Sequence, residues 1–333
     1  MPDAVYLERS VSALKSDATV HLGNYFGALK GSLEGQDLYP RNNFLFIADR
    51  HYLVDFDADV NLKLQNKNLI RDFIALGFNP ERTVIYRQSD IRELFSLMWL
   101  LSCKTPAREL IDRLSGNVDP SLARLLYPQL MATDILGLRA SRIYVGHDEQ
   151  RHVTYCEEVA NFVNSAAKRT LLPLPARGDF PSEVRVPGVD GKPMSSTNKN
   201  VISVFESERS LNRCFRQIRV EKVRKHEPLV PETDICFQLF SLMAGPDEIE
   251  DVRSTYRSAK IGEDDARNLV KQQFEKTFSE ARRRRADLSL SDDEVEEILR
   301  LGQQRVRREM RNTIASLQDA LYPDIGRKSY DFS

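Results

Sequence analysis

Four residues near the start of the chain, His21-Leu22-Gly23-Asn24, have the types and spacing of a phosphate-handling turn. They open the amphipathic run Tyr25-Phe26-Gly27-Ala28-Leu29-Lys30. A helix start offers free backbone N–H groups and the positive end of the macrodipole to an anion. A glycine there lets the backbone approach a ligand, and an imidazole adds a donor for charge developing on phosphate oxygens. That combination suits ATP. The same residues also read as a loop glycine beside a helix-capping asparagine, and the four residues alone leave both readings open.

The surrounding elements narrow the choice. Residues 42–53 read as a buried strand ending in polar residues, because Phe44-Leu45-Phe46-Ile47-Ala48 is continuously apolar, as a parallel strand covered on both faces is. A helical stretch over about 57–76, a short strand over 83–87, a helical stretch over about 91–103 and a strand over 142–145 follow. This alternation predicts an α/β fold with a Rossmann-like, doubly wound parallel sheet. Ligands of such sheets bind at the carboxyl ends of strands, which puts Asp49, Arg50, His51 and Gly146–Gln150 on the rim. Residues 173–200 are rich in Pro and Gly and read as a connector with one strand-like piece, 183–186. Beyond about 203 the strands give way to helices over 206–218, 232–244, 246–258, 263–286 and 291–320, the last with Ser291 as N-cap and an acidic first turn. The expected organisation is a Rossmann-like nucleotide- and amino-acid-binding domain (1–190), a mobile loop (191–202) and a C-terminal all-helical domain (203–333).

Composition bounds the function. The 333 residues carry 41% hydrophobic and 29% charged side chains and a net charge of −1, the profile of a soluble globular protein and not of a basic DNA binder. No run of about 18 apolar residues is present, so no membrane span is expected. The first residues lack a basic segment followed by an apolar one, so no secretory signal is expected either. Cys103, Cys156, Cys214 and Cys236 are scattered without a CxxC, which suggests neither a metal site nor a disulfide framework and fits a cytoplasmic protein. Two arginine clusters, 282–285 and Arg305, Arg307, Arg308 and Arg311, read either as phosphate contacts or as helix faces paired with nearby acids.

Five segments together resemble the tryptophanyl-tRNA synthetases, which are class I aminoacyl-tRNA synthetases. Residues 12–25 look like the family's N-terminal loop and its HIGH-type motif. Ile47-Ala48-Asp49-Arg50-His51 looks like its strand end bearing Asp-x-His. Tyr127-Pro128-Gln129-Leu130-Met131-Ala132-Thr133-Asp134-Ile135-Leu136 matches its Tyr-Pro-x-Leu-Met-Ala-Ala-Asp-Ile-Leu helix. Val145-Gly146-His147-Asp148-Glu149-Gln150-Arg151-His152 is similar to its Val-Gly-Glu-Asp-Gln-x-x-His segment. Residues 190–200 fall where its KMSKS loop belongs. The order and spacing fit across nearly the whole chain, the helical part included.

The resemblance implies activation of tryptophan, or an analogue, by ATP and transfer of the acyl group to tRNA(Trp), in a homodimer whose helical part is anticodon-binding-like. It implies Mg2+ accompanying the nucleotide and no protein-held metal. It implies that Asp134 accepts the indole N–H, that Met131, Ile143 and Val145 wall the ring, and that Tyr127, Glu149 and His51 complete the tryptophan site. It implies ATP contacts from Lys15, Ser16, Asp17, His21, Gly23, Asn24, Gly146, His147, Asp148, Val184, Lys192, Met194 and Ser195. Of these, Lys15, His21, Asn24, Lys192 and Ser195 carry the catalytic roles.

Departures from the family pattern cluster in the catalytic loops. The family's Gly, Gln, Pro and Gly before the HIGH-type motif are here Ala13, Lys15, Ser16 and Ala18, and both signature lysines of its KMSKS loop are replaced, by Pro193 and Ser196. Each lost charge-assisted phosphate contact costs roughly 1.5–3 kcal/mol, and Lys15, Lys192 and Lys199 are the candidates to supply replacement charge from shifted positions. Lys15 and Glu149 stand where the family has two glutamines, which makes them a potential ion pair or a reader of a different head group. Two other functions remain compatible with these residues: a paralogue that transfers the activated amino acid to a small-molecule or peptide amine, and a tryptophan- or nucleotide-binding regulator without catalysis.

Overall fold

The computed structural model describes residues 8–16, 19–55, 61–113, 121–146, 149–178, 185–220, 230–258 and 261–323. In chain order the elements are β1 (Ser10–Lys15), α1 (Leu22–Asn24), a π turn (Tyr25–Leu29), α2 (Lys30–Leu38), β2 (Asn43–Ala48), α3 (Asp49–Tyr52), α4 (Leu62–Leu76), β3 (Thr83–Arg87), α5 (Glu93–Ser102), α6 (Arg108–Ile111), α7 (Leu122–Gly137), β4 (Arg142–Tyr144), α8 (Gln150–Ala167) and β5 (Ala176–Arg177). Then come α9 (Glu208–Gln217), α10 (Ile235–Met243), α11 (Pro246–Arg257), α12 (Glu263–Asp287) and α13 (Asp292–Leu321). The strands form one sheet in the order β3-β2-β1-β4-β5, with all neighbours parallel. The order reverses direction between β1 and β4, and that switch point is where such a sheet opens a ligand crevice.

Period-two alternation sends each strand's apolar residues to two cores, one on each face. Leu14, Leu45, Ile47 and Ile85 enter one, and Val11, Phe44, Phe46, Tyr86 and Ile143 the other. The five C-terminal helices start and stop within a few residues of expectation, but they are not segregated from the sheet. Side chains of α12 pack in the first core, and α13 feeds both, Val295 and Leu299 into the first and Val306, Met310 and Leu317 into the second.

The strand expected over 42–53 ends at Ala48. The next residues wind into α3 because Gln88 Oε1 accepts the backbone N–H of Arg50 at 3.1 Å and of His51 at 3.4 Å, while Asp49 accepts the Ser89 N–H at 2.8 Å. The strand expected over 142–145 stops at Tyr144, and the connector holds β5, which pairs with β4. Most consequentially, β1 lies in the stretch whose resemblance is to a loop, and it is the central strand. Its serines disguise it, yet both are buried and bonded: Ser12 Oγ donates to the Tyr144 carbonyl at 2.9 Å and Ser10 Oγ to Asn43 Oδ1 at 2.6 Å.

Asn43 gathers the amino ends of the strands. Its Nδ2 donates to the Ser32 carbonyl and to Thr83 Oγ1, both at 3.0 Å, which ties β1, β2, β3 and α2 together away from the ligand end. On α2, Gly31 and Gly35 lie against the Tyr144 ring, and Gly27 in the π turn backs onto the Gly146 backbone, so the glycine face at four-residue spacing lets this helix lie tight on β4. At the far edge, Gly302 of α13 crosses β3 so closely that a Cβ there would stand 1.8 Å from the Ile85 carbonyl oxygen. Gly302→Ala is therefore expected to destabilise the fold by about 3 kcal/mol. The neighbouring Leu301→Ala, at a side chain 54% exposed, changes stability by less than about 0.5 kcal/mol. Urea unfolding midpoints of the two variants measure the difference.

Candidate active site

The carboxyl end of β1 delivers Lys15 and Ser16 to the switch point. Ser16 is buried, and its hydroxyl has no hydrogen-bond partner among the described residues. A buried hydroxyl left unpaired costs free energy, so its presence at a strand's carboxyl end marks a ligand-facing position.

His21, not Asn24, is the N-cap of α1, and Asn24 stands at the third helical position. The His21 backbone N–H donates to Asn24 Oδ1 at 2.8 Å, and the Asn24 backbone N–H donates to His21 Nδ1 at 3.3 Å, a reciprocal capping box. A backbone N–H can only donate, so Nδ1 carries the lone pair and the imidazole proton sits on Nε2. Burial pulls His21 down to about 4, so at neutral pH it offers one fixed neutral donor. Gly23 serves this arrangement sterically: a Cβ there would lie 2.9 Å from His21 Cε1 and 3.3 Å from Met194 Cβ. The Gly23 N–H also donates to the Met194 sulfur at 3.2 Å. The loop thus docks directly on the His21 motif, a docking extended by the Leu22 N–H bond to the Ile202 carbonyl at 3.0 Å.

The loop itself is built around Asn200, which is 3% exposed. Its Nδ2 donates to Asp190 Oδ1 at 2.7 Å and to the Pro193 carbonyl at 3.1 Å, and its Oδ1 accepts the Ser195 N–H at 3.0 Å. The Asn200 bond holds the Asp190 carboxyl below its ordinary range. Pro193 is bridged to Pro187, Met194 is buried, Ser195 is half-buried, and Lys192 and Lys199 are exposed. Met194 is therefore gathered to His21 and Gly23, and Lys192 is presented on the loop surface.

A second cluster lies beside the first. On α7, Tyr127, Met131 and Asp134 fall at helical spacing on one face. Asp134 is 1% exposed, and burial pushes its carboxyl well above the usual range against the opposing Gln88 bond. Gln88 Nε2 donates to Asp134 Oδ2 at 2.6 Å and approaches His51 Nδ1 at 3.0 Å. Gln88 Oε1 accepts two backbone N–H groups and lies 3.2 Å from His51 Nδ1, and its Nε2 faces Asp134, so one amide holds both the His51 ring and the carboxyl in place. His51 Nε2 is buried and unpartnered among the described residues, and burial first of all pulls His51 down to about 4.

The Tyr127 ring sits 4.6 Å from the His51 ring and 5.6 Å from the His152 ring, with Lys15 Nζ 5.5 Å above its centre. Glu149 hydrogen-bonds His152. Burial pushes the Glu149 carboxyl up, but the His152 hydrogen bond and the electrostatic influence of its basic neighbours, Lys15 among them, outweigh it and hold the group below its ordinary range. Lys15 thus acts on Glu149 through the field, with His152 as the carboxylate's hydrogen-bond partner among the described residues. Ile143 is buried in the second core, Val145 packs half-buried against it, and Gly146 follows β4 at the crevice. Asp17, His147, Asp148 and Val184 lie outside the described residues. Gln88 and His152 are the site residues that sequence reading missed. The strand-end rule applied to β3 as to β2 and β4 points to Gln88-Ser89.

Residues 11–279 match the class I tRNA synthetases (W and Y). A tryptophan–tRNA ligase of Rhodopirellula baltica is 30% identical over 305 residues, 90% of this chain and 94% of that one. The chain belongs to the tryptophanyl-tRNA synthetase family of class I. A second ligase of that name, from Fusobacterium nucleatum, is 29% identical over 307 residues. Among solved structures, the Campylobacter jejuni tryptophanyl-tRNA synthetase complexed with ADP and tryptophan superposes with a TM-score of 0.76 at 26% identity, covering 93% of this chain and 98% of that chain. The His21 capping box is the segment that resembles the family's HIGH-type motif, and the loop docked on it is the one that falls where its KMSKS loop belongs.

The two buried histidines make stability depend on pH. Each is neutral in the fold near pH 5 and would be protonated in the unfolded chain, so their contribution is full above about pH 6.5 and is lost as pH falls toward about 4. Each ring accounts for about 3 kcal/mol across that window. Asp134 acts in the opposite sense, so the difference between wild type and variant is the readout. Urea unfolding of His51→Gln between pH 7 and 4 should show a shallower loss of stability than wild type, and parallel curves would contradict the assignment.

Proposed function

We propose that this synthetase activates tryptophan with ATP, forming tryptophanyl-adenylate and pyrophosphate, and transfers the acyl group to tRNA(Trp). The observation that carries the reading is Asp134: a buried carboxyl group, oriented by Gln88, on the same helix face as Met131 and Tyr127. A fixed buried acceptor suits an indole N–H, and a ring lacking that donor leaves it unpaired. Met131, Ile143 and Val145 bound the ring, while Tyr127 and the ionised Glu149 suit the substrate ammonium group, with His51 closing the pocket.

The ATP side has a matching donor set. Ser16 Oγ is an unsatisfied buried hydroxyl, His21 Nε2–H is an oriented neutral donor, and Lys15 and Lys192 bring positive charge. Gly23 and Asn24 hold the turn, Met194 and Ser195 position the loop, and Gly146 opens the far wall. Asp17, His147, Asp148 and Val184 are the further nucleotide contacts that the resemblance implies. Catalysis on this plan is positioning plus stabilisation of phosphate charge, with the attacking carboxylate oxygen held in line with the α-phosphorus. Mg2+ would be held by the nucleotide's own phosphates. A homodimer and a cytoplasmic site of action follow the family.

Pro193 and Ser196 in place of lysines support a second reading, in which the adenylate is passed to a small-molecule or peptide amine. Charging of tRNA(Trp) after tryptophan-dependent pyrophosphate exchange separates the two. Asp134→Ala is expected to raise the KM for tryptophan at least about 100-fold in that exchange, with its melting transition retained. Lys15→Ala and Lys192→Ala should each slow adenylation by about tenfold to a hundredfold with tryptophan KM little changed. Unaltered rates would remove these lysines from the catalytic set.

A further inference from the structure

The arginine clusters conspicuous in the sequence turn out to hold the fold together. Arg282 donates to the Val204 and Glu206 carbonyls at 2.6 and 2.8 Å, Arg284 to the Ala75 carbonyl at 2.8 Å, and Arg285 to Asp72 at 2.6 Å. Arg307 and Arg311 converge on Glu93, which is 0% exposed, and Arg305 pairs with Glu309 at 2.9 Å. Arg283 and Arg308 are exposed on separate helices.

A different set of arginines is unspent. On α9, Leu211 and Phe215 are buried, while Arg209, Arg213 and Arg216 recur at i, i+4 and i+7 on the exposed face and line a shallow groove with Glu208, Asn212 and Gln217. None of the three has an acidic or hydrogen-bonding partner among the described residues. The one acid on the helix, Glu208, sits in its first turn, where it complements the helix dipole. Like charges at i and i+4 disfavour a helix, so the stripe is a liability unless something anionic covers it.

Both ends of α9 are fastened to the catalytic segments. Before it, the Val204 N–H donates to the Val20 carbonyl at 2.7 Å and Ser203 bridges His21; after it, the Arg219 N–H donates to the Val189 carbonyl of the loop at 2.8 Å. A polyanion lying on the stripe is therefore led toward the loop and the His21 turn. From Arg209 to Arg216 the helix rises about 10 Å.

We propose that the Arg209, Arg213 and Arg216 face of α9 is a docking surface for the phosphodiester backbone of tRNA on its way to the active site. This rests on the synthetase reading, which supplies the RNA; the charge, the spacing and the tethers supply the surface. Such contacts position without reading sequence.

The test uses the full chain, a triple Arg→Gln variant and a triple Arg→Lys variant at these positions, each titrated with a fluorescent tRNA(Trp) transcript between 50 and 300 mM salt. The glutamine variant is expected to bind about tenfold to a hundredfold more weakly at low salt, with the slope of log K against log salt reduced by about two. The lysine variant, which keeps the point charges, should retain most of that slope, and tryptophan-dependent pyrophosphate exchange should be unchanged in both. Unchanged tRNA affinity and slope in the glutamine variant overturns the proposal, as does an equal loss in the lysine variant. Unchanged tRNA binding with lost association to phosphatidylserine vesicles assigns the stripe to an anionic lipid surface and likewise overturns it. Should the wild type exchange no pyrophosphate, the synthetase reading fails on that assay, while the binding arm still decides the stripe.

Discussion

The closest constraint in the molecule is the passage of α13 over β3, where Gly302 meets the Ile85 carbonyl with no room for a side chain. An edge strand with unpaired backbone groups invites wrong partners unless something covers it. Here the cover is the last long helix, and because it crosses at the glycine, its two halves reach opposite faces of the sheet and complete both cores. The buried Glu93 carboxylate, gripped by Arg307 and Arg311, fixes the same helix to α5. The catalytic rim thus depends on residues more than two hundred positions away in the chain, since β3 carries Gln88 and Gln88 orients both Asp134 and His51.

That rim is built mostly from neutral donors and shielded carboxylates. Two imidazoles are held uncharged by burial, and that of His21 has its proton directed to Nε2 by a backbone N–H that can only donate to Nδ1. Formal charge is concentrated in Lys15 and Glu149 beside the Tyr127 ring. Neutral, fixed dipoles stabilise charge that appears in a transition state without needing to reorganise. On the proposed reading, Pro193 and Ser196 in the loop leave phosphate charge to these dipoles and to Lys15 and Lys192.

Much of this was legible in advance, for physical reasons that differ by segment. The β2 run Phe44–Ala48 and the C-terminal helices announce themselves because burial on two faces or one stripe writes a period into the sequence. Asp134 and its helix are readable because a lone acid among Leu130, Ile135 and Leu136 is conspicuous. What escaped was side-chain chemistry substituting for periodicity. The serines of β1 are buried only because a carbonyl and an asparagine across the sheet accept from them. Gln88 looks ordinary until its two backbone acceptances show which way its amide must point. The arginines of α12 and α13 could not be told from a nucleic-acid patch, since their partners lie far away in sequence.

The π turn at Tyr25–Leu29 places a constraint of another kind on this protein. A turn of that sort holds one residue more than an α turn, and each helical residue advances the side chains by about 100°. The His21–Asn24 box on one side of it and the glycine face of α2 on the other are therefore phased by a count and not by any particular side chain. Dropping a single residue there would restore a regular helix and an unbroken hydrogen-bond ladder. It would also swing either the box away from the strand end or the glycines away from Tyr144. Between these two fixtures, chain length is itself inherited information, more sensitive to a one-residue gap than to most substitutions.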